Sequence, residues 1–165
     1  MKRATITAPS RRWSVSARAA AKAAGLALLA SAPLANAADG KVAFESACGA
    51  CHKKDGTGVA GLAPPLANAD WAKSADPAMR TYLPLVVLNG ISGKIVAGGK
   101  TFMSAMPPQK QRSDEELAAI AAYVVGTLNP PPAGWTDYTT AEMAALRAEK
   151  ADRKALLELR GKLVE

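Results

Sequence analysis

Histidine occurs once in this 165-residue chain, at position 52, and cysteine twice. Those three side chains are too few for a structural zinc site, which needs four ligands. Acidic residues are missing from the first 37 positions, which carry Lys2, Arg3, Arg11, Arg12, Arg18 and Lys22. Long apolar runs are missing too. The stretch at residues 23–32 falls well short of the ~20 residues that cross a bilayer, which argues against an integral membrane protein. Basic residues, then that apolar stretch, then the small residues Ala35-Asn36-Ala37 make the order of a secretory signal cleaved near Ala37. The formal net charge of +7 is therefore mostly leader. The remaining chain is close to neutral, and nothing in it argues for a nucleic-acid partner. Without the leader, the chain is long enough for one ordinary domain.

All three scarce side chains fall within Cys48-Gly49-Ala50-Cys51-His52. Cys-x-x-Cys-His is a signature of c-type haem attachment. On one helical turn the two thiols can each add to a vinyl group of one porphyrin, and the following imidazole turns to the iron. A thioredoxin-like pair needs a βαβ pattern around it, and no strand signal flanks this one. A structural disulfide suits an exported protein but leaves the adjacent histidine unexplained. With a single histidine, bis-histidine ligation within the chain is excluded. The sixth iron ligand is then a methionine sulfur, something weaker, or nothing.

Along the chain, residues 40–52 read as a helix bearing Phe44. A loop rich in turn formers comes next, with Gly56, Gly58, Gly61 and Pro64-Pro65-Leu66. Asp76-Pro77 reads as a helix start. The helix it opens carries Tyr82, Leu83, Leu85, Val86 and Leu88 and stops at Asn89-Gly90, and Pro84 predicts a kink or a late start. Residues 94–102 read as a small hairpin about Gly98-Gly99. Ser113 and Glu116 form a capping box for a helix whose apolar face is Leu117, Ile120, Ala121, Val124 and Leu128. Asn129-Pro130-Pro131-Pro132 ends it. A second capping box, Thr139 with Glu142, starts a charged segment whose stripe is Met143, Leu146, Leu156, Leu157, Leu159 and Leu163. Its register slips near residues 150–152, which leaves one long helix or two short ones.

This order of motifs resembles a class I c-type cytochrome of bacterial type, over residues 39–129. Its parts are an aromatic-bearing helix into Cys-x-x-Cys-His, a loop with Pro-Pro-Leu, Met106-Pro107, and an acidic-capped helix with Tyr123-Val124. The segment from Gly93 to Pro107 resembles a branch that includes cytochrome subunits associated with quinoprotein dehydrogenases and terminal oxidases. The resemblance implies an all-α fold of helices around one covalently bound haem c. A small hairpin precedes the methionine ligand, and residues 130–165 are added as a proline-rich linker and helical tail. It implies thioethers at Cys48 and Cys51, His52 as proximal ligand, the Pro64 carbonyl fixing its ring, and Met106 rather than Met103 as sixth ligand. Phe44 and Tyr123 are expected at the crossing of the first and last core helices. Leu62, Leu66, Trp71, Leu88, Ile95 and Phe102 are expected in the haem-pocket wall, and Lys53, Lys54, Lys73, Lys100 and Lys110 around its edge. The implied function is non-catalytic periplasmic electron transfer between a dehydrogenase or respiratory complex and an oxidase. The alternative is a bound haem subunit of a periplasmic dehydrogenase, docked through the tail.

Overall fold

Asp39 starts the first helix by accepting hydrogen bonds from the backbone N–H groups of Lys41 (2.9 Å) and Val42 (3.1 Å), donors that a helix start leaves unpaired. The computed structural model describes residues 38–164, so the leader expected over 1–37 lies outside it. The helix predicted over 40–52 is in two pieces, α1 (Gly40–Ala47) and α2 (Gly49–His52). Cys48 stands at the break, at φ −117° and ψ −24°. Helix α5 (Asp114–Gly126) packs across α1, and the Phe44 ring centre lies 5.3 Å from that of Tyr123. The capping box at the start of α5 is complete. Ser113 Oγ accepts from the Glu116 N–H, and the Glu116 carboxylate accepts from the Ser113 N–H, each at 3.2 Å. Leu117, Ile120, Ala121 and Val124 are buried, as their spacing predicts.

A 3-10 turn, Ala69–Lys73, leads to α3 (Pro77–Arg80) and α4 (Tyr82–Asn89). The break at Thr81 is the late start that Pro84 predicts. The proline falls in the first turn of α4, where its missing N–H costs no helical bond. Every residue from Tyr82 to Leu88 is buried. Helix α4 is thus a core helix, apolar all round.

Four short strands come after α4: β1 (Ile91–Ser92), β2 (Ile95–Ala97), β3 (Lys100–Phe102) and β4 (Ala105–Met106). Strands β2 and β3 make the predicted hairpin, with Ile95 opposite Phe102. The pairing of β1 with β4 is new. Two residues per strand are too few to show an alternating pattern, yet this pair sets Met106 opposite Ile91.

The tail forms two helices, α6 (Thr140–Ala148) and α7 (Arg153–Val164), with the break where the register slips. Its apolar side covers its own domain. Met143, Leu156 and Leu163 are buried in the same core as Phe44 and α4. Arg80 fastens the linker, donating to Glu142 Oε1 (2.8 Å), the Thr136 carbonyl (2.8 Å) and the Asp137 carbonyl (3.0 Å). Its guanidinium also sits 4.4 Å from the Tyr138 ring centre, within range of a cation–π contact. Hydrogen bonds from Arg80, and then from Thr139, hold the Glu142 carboxyl down to about 2.

Candidate functional site

The short helix α2 and the loop after it converge on one cavity. His52 is buried, and its Nδ1 lies 2.9 Å from the carbonyl oxygen of Pro64. A carbonyl only accepts, so Nδ1 carries the proton and Nε2 keeps the free lone pair of a neutral ring. Burial lowers the pKa of His52, and the Pro64 carbonyl opposes that only in part. Cys48 is buried and Cys51 exposed, and both thiols are free. Burial pushes the Cys48 thiol up to about 11, the Arg112 charge pulling the other way. Cys48, Cys51, His52, Pro64 and Met106 all line this one cavity. Met103 does not: it is 76% exposed. The difference comes from the strands, since β4 turns Met106 back toward Ile91 while Met103 stays in the connection.

Over residues 35–124 the chain matches the family model described as cytochrome c oxidase, cbb3-type, subunit III. It is also similar to cytochrome c-552 of Thermus thermophilus, with 33% identity over 118 residues, covering 70% of this chain and 90% of that protein. The cytochrome c-552 of a named strain of that species matches at the same identity, with 80% of its length covered. This chain is a class I c-type cytochrome. Its cofactor is haem c, and the family's work is electron transfer. Among the described residues no helix is long and apolar enough to cross a membrane.

The cavity of this cytochrome fits that cofactor. It offers two free thiols, a neutral imidazole with one nitrogen held, a thioether, and walls that are mainly aliphatic and aromatic. Of the expected wall residues, Leu62, Leu66, Trp71 and Ile95 line it. Leu88 and Phe102 are buried elsewhere, away from the lining. The five expected lysines are all exposed.

Several positioning residues escape a reading by residue type. Asn129, read in the sequence only as a helix stop, is buried and ties the loop to the end of α5. Its Nδ2 donates to the carbonyls of Val124 (2.7 Å) and Leu66 (2.9 Å), and its Oδ1 accepts from the Asn68 N–H (2.8 Å). A polar residue directly after a buried apolar face was the available signal. Gly58 and Gly90 support the two faces of the cavity. Both have positive φ, at 71° and 72°. A Cβ on Gly58 would stand 2.7 Å from the Pro64 oxygen, and one on Gly90 would stand 2.5 Å from the Met106 oxygen. Each glycine thus lets the backbone presenting a candidate iron-side residue approach closely. Gly58→Ala is expected to displace the Pro64 carbonyl and to cost about 1–3 kcal/mol of stability. Denaturant unfolding of the haem-loaded protein measures it, and an unchanged midpoint would contradict the close approach.

Proposed function

We propose that the protein carries single electrons in the periplasm through one haem c bonded at Cys48 and Cys51, with His52 and Met106 as the residues that would hold its iron. One observation carries the reading: His52 and Met106 line the same apolar cavity as both thiols. Haem c supplies an iron that alternates between ferrous and ferric states. The chain's own residues do the rest. Cys48 and Cys51 would hold the haem covalently, and the Pro64 carbonyl orients the His52 ring and raises its basicity. Met106 would supply a second protein ligand to the iron, which would leave no open site for a substrate. The apolar lining excludes water and, with a thioether ligand, favours the less charged ferrous state. Exposed Lys53, Lys54, Lys73, Lys100 and Lys110 steer an acidic redox partner, a dehydrogenase or respiratory complex on one side and an oxidase on the other.

The oxidase-subunit description of the matching family favours a second reading, a bound haem subunit. The notion of the tail as a clamp on a partner loses support, because its buried leucines already cover this domain. A diffusible carrier is therefore the first reading. Carbon monoxide tests the ligation by His52 and Met106, which both readings share. Ferrous protein with both axial positions filled is expected to keep its spectrum at neutral pH, and rapid formation of an adduct would overturn it.

A further inference from the structure

The cavity that fits haem is lined by residues of the family core with one outlier. Arg160 belongs to α7, beyond the matched residues 35–124. It is 5% exposed, and among the described residues lining the cavity it is the one with a formal charge at neutral pH. A buried cation is expensive unless a partner meets it. Part of that partnership is visible. Nη2 pairs with Asp70 Oδ2, and Nε and Nη2 donate to the Val96 carbonyl, at 2.8 and 2.6 Å. The guanidinium carbon lies 5.9 Å from the centre of the Tyr82 ring. Burial raises the Tyr82 hydroxyl to about 12, while the Arg160 cation works to lower it.

Haem carries propionate carboxylates, and a largely apolar cavity must give them a cation or expose them to water. The indole N–H of Trp71, a neighbouring donor on the same wall, is already given to the Leu66 carbonyl at 2.7 Å. Ser104 Oγ is likewise bonded, to the Leu62 carbonyl. Arg160 also hydrogen-bonds the Tyr82 side chain; with Nε and Nη2 engaged by Asp70 and Val96, part of a planar five-donor fork suited to carboxylates remains. Asp70 and Val96 hold that fork in place, and Leu156 and Leu163 anchor α7 on either side of it.

We propose that α7 completes the haem site: Arg160, held by Asp70, receives a haem propionate and through its charge raises the reduction potential. The tail is then part of the cofactor's surroundings and not a separable appendage. The inference rests on haem occupying this cavity, but not on Met106 binding its iron.

The experiment uses the full-length, haem-loaded protein and three variants. The readouts are the midpoint potential and the propionate bending band in resonance Raman spectra. Covalent haem in the wild type controls for the haem reading, and the far-red sulfur-to-iron band reports Met106 separately. Arg160→Met removes a positive charge beside the haem, so its potential is expected to fall and its propionate band to shift. Asp70→Asn removes a negative charge from the same place, so its potential is expected to rise. Arg160→Lys keeps the charge and is expected to restore most of the potential. A purely structural role predicts loosened packing and a fall in both charge-removing variants. Shifts of the same sign, or an unmoved propionate band in Arg160→Met, would overturn the proposal. If Arg160→Met does not fold, Asp70→Asn decides alone: a rise with a shifted propionate band supports the proposal, and a fall, no change or an unmoved band refutes it.

Discussion

Serine at both Cys48 and Cys51 is expected to abolish covalent haem completely, and serine at either one to leave a single thioether in low yield. The wild-type chain, denatured and reduced on a gel, should keep haem-linked peroxidase activity. Its intact mass should equal that of residues 38–165 plus one haem. The reason is chemical. A thioether forms when sulfur adds to a vinyl group, and a serine hydroxyl does not make that addition. The two positions are not equivalent in the folded chain, since Cys48 is buried and its thiol is pushed up to about 11, while Cys51 is exposed. The thiolate is the reactive form, so Cys48 in an already folded chain is nearly inert near pH 7. Haem released from the wild type by acidified solvent would overturn the covalent assignment. Persistent haem staining in the double variant would show that another side chain holds the group.

Met106→Leu is expected to remove the weak far-red band of sulfur on ferric iron and to lower the midpoint potential, while Met103→Leu does neither. A methionine ligand raises the potential of a histidine-ligated haem, and each tenfold change in relative stability of the two iron states is about 59 mV. Loss of the sulfur is expected to exceed one such step. The two methionines are three residues apart but differ in exposure. Met103 points to solvent, whereas Met106 is paired opposite Ile91 and lines the cavity. Spectra of the two variants, recorded beside potentiometric titrations, check both halves. The reverse pattern would require β4 to shift its register.

Local chemistry was legible in the sequence where few residues act within a short span. Cys-x-x-Cys-His is contiguous, each capping box needs four positions, and Gly98-Gly99 marks its own turn. Residue type alone did not separate Met106 from Met103, three positions earlier. The likeness to a family singled out Met106, which, unlike Met103, lines the cavity. The break at Cys48 has a signal in Gly49, a poor helix former, but the continuous apolar and small residues on either side hid it, and the β1–β4 pair was too short to leave a period. Arg160 was hidden among the many charges of the tail. Its place beside Leu156 and Leu163, at helical i, i+4, i+7 spacing, was the clue. A charged residue on a buried stripe calls for a partner, and that partner, Asp70, is far away in sequence.

The distance along the chain between α7 and the Cys-x-x-Cys-His segment has a consequence for assembly order. About a hundred residues separate His52 from Arg160, so docking α7 onto the cavity is a long-range event. Until α7 arrives, the wall that it contributes is missing and the cavity is open on that side. Contacts between distant parts of a chain also form late, because closing a long loop costs entropy before any packing offsets it. The cysteines are thus presented early to whatever adds haem, while Cys48 is still exposed and its thiol still able to ionise. On the proposal above, helix α7 would then close the cavity behind the cofactor.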